Sequence, residues 1–195
     1  MKTIDLTPEE MARYISRFDD LIANKARTSD KIPPAARETM TARSTKTVIA
    51  NVSATDTPWG SGGDEGPIPG PPNFAVVIAE CEPGNGPGLH SHQNTIETFT
   101  CIKGLFRIEW GDDGQNSMEL GLYDTISVPA GVMRRFENIS DEMGLLYVIL
   151  QGGDRGLRDV EFAPSVGESL RERFGAEVVC ELESIGYSFT AGLHQ

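Results

Sequence analysis

His90 and His92 stand two residues apart, and Glu97 follows them in a stretch rich in strand-forming residues. In an extended strand, positions i and i+2 face the same side. The two imidazoles would therefore aim at one point. A carboxylate from the neighbouring strand, Glu97, would complete two nitrogens and an oxygen around a divalent cation. That donor set suits iron, manganese, nickel, cobalt or zinc and leaves coordination positions open. A His-x-His pair alone arises by chance. The third histidine, His194, lies one residue from the C-terminus and is expected to be disordered.

The surrounding chain must supply strands to hold these groups. From Phe74 onward, short apolar or alternating runs are separated by turn residues. The candidate strands are 74–82, 95–102, 105–110, 117–120, 124–128, 133–138 and 144–151, preceded by a first strand at 47–52. Gly111-Asp-Asp-Gly114 is a hairpin signal. Regularly spaced strands without intervening helices predict an antiparallel sandwich or barrel. With no internal repeat, one barrel is expected.

The flanks read differently. Thr7-Pro8-Glu9-Glu10 predicts a capping box, and Met11, Tyr14, Ile15, Phe18, Leu21 and Ile22 fall on one helical stripe. Pro33-Pro34 breaks any helix in the weak stretch that follows. Residues 58–73 are rich in Gly and Pro, either a functional lid or a solvated loop, with Trp59 expected to fold back onto the domain. Ser165-Val-Gly-Glu168 predicts a short helix ending at Gly175, and 176–183 reads as a tail of strand character. The expected division is a helical extension at 1–46, a barrel at 47–162, and a helix and tail at 163–195.

The segment Gly84-(five residues)-His90-Ser-His92-(four residues)-Glu97-(six residues)-Gly104 resembles the first signature of the cupin family at every fixed position. Pro129-Ala-Gly131-Val-Met-Arg134-Arg-Phe-Glu-Asn138 has the frame of the second signature. There Tyr123 replaces the usual opening glycine, and Arg134 replaces the usual histidine. The resemblance spans about 74–151. It implies a mainly β fold, a double-stranded β-helix or jelly-roll barrel, here with the N-terminal helical extension and short C-terminal helix. It also implies a homodimer and a metal held by His90, His92 and Glu97.

Arg134 decides how much of that carries over. A guanidinium stays protonated and offers no lone pair to a metal. It could anchor an anionic group of a substrate, or pair with Glu97 and leave the barrel metal-free. A bulge could also turn Arg135 inward instead. Alternation puts Phe99 and Cys101 on the face of Glu97, and Phe136 on that of Arg134. Either Tyr147 with Ile149, or Val148 with Leu150, faces in from the last strand. The expected pocket lining is Phe99, Cys101, Phe136 and Tyr147, whose competing role is ordinary core packing.

Composition narrows the classes. A net charge of −12 over 195 residues leaves no basic stripe for nucleic acid or an anionic membrane. No apolar run is long enough to span a bilayer, and no signal-peptide core opens the chain. Three cysteines (Cys81, Cys101, Cys180) without metal-type spacing suit a reducing cytoplasm. The expected function is a cupin-type protein that binds one divalent ion (Fe, Mn, Ni or Zn) and acts on a small anionic organic molecule, in the manner of a dioxygenase. The alternatives are a metal-dependent isomerase, cyclase or lyase, and a non-catalytic small-molecule binding module.

Overall fold

The computed structural model describes residues 1–24, 29–51, 66–152 and 159–193. Residues 52–65, which include Trp59 and the 58–65 part of the Gly/Pro-rich stretch, and His194 lie outside the described residues.

Eleven strands form two sheets among these residues. They are β1 (Ser44–Asn51), β2 (Ile68–Gly70), β3 (Phe74–Cys81), β4 (His90–His92), β5 (Thr95–Lys103), β6 (Phe106–Trp110), β7 (Asn116–Leu120), β8 (Thr125–Val128), β9 (Arg134–Asn138), β10 (Gly144–Gly152) and β11 (Val160–Phe162). One sheet runs β2-β1-β3-β10-β5-β8 and the other β11-β4-β9-β6-β7. Every pairing is antiparallel except β1 with β2. This mainly β, two-sheet arrangement is a jelly-roll barrel, as the spacing of short strands predicts.

Period-2 alternation sets the interior. On β5, Thr95, Glu97, Phe99 and Cys101 are buried, while Ile96 and Lys103 face out. On β9, Arg134, Phe136 and Asn138 are buried, and Arg135 turns outward to an ion pair with Glu109. No bulge exchanges the two arginines. On β10, Leu146 and Val148 face the core. Tyr147 lies between them on the opposite side, so its expected place in the pocket is corrected by the register of this strand. Phe99, Phe106, Ile108, Phe136, Leu146 and Val148 share one apolar cluster with Cys81 and Cys101.

Two backbone positions fix the turns around the site. Gly131 has φ of +80°, a left-handed conformation that suits glycine, and its N–H donates to the His92 carbonyl at 2.7 Å. A Cβ on Gly86 would lie 1.8 Å from the Phe136 carbonyl oxygen, so the chain passes there only as glycine. Tyr123, which stands where the family has glycine, has φ of +69° and a 75% exposed side chain. Its N–H bonds the Cys101 carbonyl at 2.7 Å, which holds the strained backbone in place.

The flanks depart from expectation. The Thr7/Glu10 capping box forms, but it caps only α1 (Pro8–Met11), followed by single 3-10 turns at Ala12–Tyr14 and Phe18–Asp20. The predicted stripe from Met11 to Ile22 is therefore not one helix. Ile15 and Arg17 adopt extended backbone, and Ala23 bridges to Lys46 on β1, so pairing with the sheet replaces helix propagation. Only Leu21 of the stripe is buried. Pro34 opens α2 (Pro34–Glu38) from its N-terminal end, where its missing N–H costs nothing.

The C-terminal helix α3 (Pro164–Phe174) starts at a proline with Ala163 as cap. Ser165 and Glu168 thus lie inside it and form no capping box, although Gly175 ends it as expected. Residues 176–184 form helix α4 (Ala176–Ser184), not a strand, because burying Val178, Val179 and Leu182 needs a helical face. These helices pack with Ile32, Met40, Leu89 and Phe162 in a second core.

Candidate metal centre

β4 and β9 bring His90 opposite Arg134, and β5 carries Glu97 in beside them. The side chains of His90, His92, Glu97 and Arg134 are all buried, Arg134 completely. The Nε2 atoms of His90 and His92 lie 3.8 and 3.6 Å from Glu97 Oε2. Arg134 Nε donates to the same oxygen at 3.2 Å, and its Nη1 donates to the Val132 carbonyl at 2.9 Å. Its Nη2 is buried and has no hydrogen-bond partner among the described residues.

The far nitrogen of each imidazole is engaged. His90 Nδ1 lies 2.8 Å from the Gly88 carbonyl, which can only accept, so Nδ1 carries the proton. His92 Nδ1 faces Asp159 Oδ1 at 3.3 Å. Asp159 also accepts from Thr95 Oγ1 at 2.8 Å and from the Asn94 backbone N–H. Both Nε2 lone pairs are thereby directed at Glu97. Imidazoles fixed in this way by carbonyl and carboxylate partners are the usual setting of metal-ligating histidines.

Electrostatics fit a cation. Burial lowers the His92 pKa, and the opposing pull of Asp159 and Glu97 does not restore it, so the ring is neutral. Burial alone would push the Glu97 carboxyl up. The His90 contact, the His92 ring once acid protonates it, and the Arg134 guanidinium outweigh it and hold the carboxyl at about 2. Asp159 is likewise held below the usual carboxylate range, because its bonds from His92, Asn94 and Thr95 outweigh burial. Two carboxylates against one guanidinium leave this buried site with one net negative charge. Arg134 still opposes a metal: two unit charges at ~4 Å repel by about 4 kcal/mol at an effective dielectric of 20, and a divalent ion doubles that to about 8 kcal/mol. The donor set and the residual negative charge fit a divalent ion despite that cost. His90, His92 and Glu97 form a cluster of ligand atoms within 4.8 Å of one another, as the spacing predicts.

Of the expected pocket residues, Phe99, Cys101 and Phe136 lie in the apolar core, with the Phe99 and Phe136 rings 5.3 Å apart. On the other side, His90 contacts Phe162 at 5.6 Å between ring centroids. Asp159 and Phe162 escaped sequence reasoning. A single aspartate outside the two signatures carries no spacing signal, and only the pairing of β11 with β4 brings it to His92. Burial raises the thiols of Cys81 and Cys101, the former to about 12, which keeps both as inert core groups.

Residues 77–150 match the family model of the cupin domain. A search of the curated proteins found no significant match. Among solved structures, the chain resembles a cupin-superfamily sugar phosphate isomerase from Silicibacter pomeroyi at 17% identity, with 70% of this chain and 74% of that one covered and a TM-score of 0.48. It also resembles the capsular polysaccharide assembling protein CapF from Staphylococcus aureus, at 16% identity over 73% of this chain and 31% of that one, TM-score 0.46. A third match is the Schizosaccharomyces pombe Cnp3 cupin domain, at 20% identity over 42% of this chain, TM-score 0.39. This chain covers only 58% of that structure's length. The family match, the two-sheet barrel and the signature residues within it agree that this chain carries a cupin domain.

Proposed function

We propose that this protein is a metal-dependent enzyme acting on a small anionic organic molecule, with dioxygenase-like chemistry. His90, His92 and Glu97 are the metal ligands, and Arg134 is the group that meets the anion. The observation that carries the reading is the orientation of both imidazoles, each with Nδ1 engaged and Nε2 turned to Glu97. A bound iron, manganese, nickel or zinc ion supplies Lewis acidity and coordination positions open to a small molecule. Arg134 keeps a buried donor, Nη2, that no described protein group satisfies, and an anionic oxygen is the acceptor that suits it. Phe99 and Phe136 border this polar end with apolar surface that excludes water. Cys101 belongs to the same wall.

Two accompanying proposals concern assembly and compartment. The exposed apolar side chains of the N-terminal arm (Met11, Tyr14, Ile15, Phe18 and Ile22) favour a homodimer. Three free cysteines favour a reducing cytoplasm. No helix among the described residues is long and apolar enough to cross a membrane.

A second reading has its own observation, the 3.2 Å contact of Arg134 with Glu97. In that reading the guanidinium stands in for the cation, and the barrel is a metal-free binding module. Oxygen uptake by iron- or manganese-loaded protein across a panel of small carboxylic acids tests the first reading. Metal-dependent uptake with one acid is expected. A protein that binds metal but consumes no oxygen points to isomerase, cyclase or lyase chemistry, and one that binds no metal favours the second reading.

A further inference from the structure

The two histidines of the candidate centre are supported in different ways. His90 leans on a neutral acceptor, the Gly88 carbonyl, supplied two residues away on the same segment. His92 leans on a carboxylate, Asp159, supplied from 67 residues away. Asp159 is itself tightly held. Its side chain is 4% exposed, Thr95 Oγ1 and the Asn94 N–H donate to it, and it immediately precedes β11, whose Val160 pairs with His92. Both donors lie between His92 and Glu97, Asn94 on the turn and Thr95 at the start of β5. One carboxylate thus ties together a ligand, the strand that follows it, and the strand from the C-terminal side of the barrel. It lies outside residues 77–150, the part that matches the family model.

We infer that Asp159 is a positioning residue: it holds His92 in the Nδ1–H tautomer and turns its Nε2 onto the metal. This rests on the proposed metal site. A carboxylate behind an imidazole strengthens the ring as a ligand as well as orienting it, which the carbonyl behind His90 does less. The two histidines are then unequal, with His92 the better donor. Asp159 touches neither the ion nor a substrate, so it works only through His92. The β11 strand continues through hydrogen bonds of Phe162 to the 188–191 segment, so the C-terminal helices help set where this carboxylate stands.

The test uses the full chain and cobalt(II) or nickel(II) alone as probe. Wild type, Asp159→Asn and Asp159→Ala are stripped of metal and titrated, with the cobalt d–d absorption recorded at saturation. Asparagine can still accept the His92 proton but lacks the charge. Loss of an outer partner of this kind typically weakens metal binding 10–100-fold. The expected result is weaker binding in both variants, Ala more than Asn, with a changed cobalt spectrum in each. Circular dichroism and thermal unfolding of the metal-free proteins identify any variant that fails to fold, and Asn, the near-isosteric change, decides the matter if Ala does. Wild-type affinity and an unaltered spectrum in a folded Asp159→Asn protein overturn the inference while leaving the metal site standing. A wild type that binds neither ion overturns both.

Discussion

The two ends of one barrel are built from the same strands. On β5, Glu97 at one end gives way to Phe99 and Cys101 two and four residues on. On β9, Arg134 gives way to Phe136 and then Asn138. The apolar end is closed by packing: Phe99, Phe106, Ile108 and Leu146 are fully buried and touch one another. The polar end is closed by charge: Arg134 is as inaccessible as Phe99, yet one of its nitrogens has no partner among the described residues. The contrast separates stability from chemistry. The apolar end holds the two sheets together, and the polar end holds the three candidate ligand atoms of His90, His92 and Glu97 close together. A zinc finger, by comparison, has no such second core to fall back on.

Breaking the apolar end should have the largest effect. Phe99→Ala removes a ring with no exposed surface and should cost about 3–5 kcal/mol, read by urea unfolding. A cost below ~1 kcal/mol would mean that the Phe99 side is loosely packed and that the contrast is overdrawn.

Arg134→Ala probes the polar end. In chelator it leaves Glu97 buried without its cation, at a cost of roughly 3–5 kcal/mol. Adding the metal should recover much of that loss, because the ion takes over the guanidinium's charge, and occupancy should stay the same or rise. Equal destabilisation with and without metal would show that Arg134 holds the fold and has no tie to a metal.

Acid should act mainly on the polar end. His92 lies below its ordinary value of 6.5 in the folded chain, and Glu97 is held at about 2 against an ordinary 4.5. In both cases the unfolded chain binds the proton more readily. Stability is therefore greatest above about 6.5 and declines as pH falls from there through the acid range toward the Glu97 value. Denaturant midpoints of the metal-free protein from neutral to acid pH would show this, and a flat profile contradicts it.

The smallest effect calibrates the others. Tyr123 holds a left-handed backbone at the entry to β8, away from both ends of the barrel's interior. Tyr123→Gly should relieve about 1 kcal/mol of strain, raising the melting temperature with no change in metal binding.

The same contrast explains what could be read in the sequence. Strands β3 and β5 to β10 were legible to within one residue at their ends because turn residues bound them and, in β3, β5, β6, β9 and β10, one face is buried; the short β4 (His90–His92) was not among the expected strands. His90, His92 and Glu97 were legible because their spacing is short and regular. Asp159 was not: it is one of 29 acidic residues, it stands 64 positions after Thr95, and only sheet pairing brings it to the site. Tyr147 failed for want of a register, since Tyr-Val-Ile-Leu is apolar on both faces of β10. The stripe from Met11 to Ile22 failed because helical spacing says nothing about a competing sheet, and here Ala23 bridges β1. For 176–184, a short apolar run cannot distinguish a strand from a buried helix.

The central claim is that His90, His92 and Glu97 hold a divalent ion beside Arg134. It is tested most directly by calorimetric titration of iron(II), manganese, nickel and zinc into metal-stripped wild type and His92→Ala. The account predicts one ion per chain for the wild type, and stabilisation of about 2.7 kcal/mol at a hundred times the dissociation constant. His92→Ala should bind none while keeping its β-type circular dichroism. A wild type that takes up no ion and gains no thermal stability from any of the four, or a His92→Ala protein with undiminished occupancy, would contradict it.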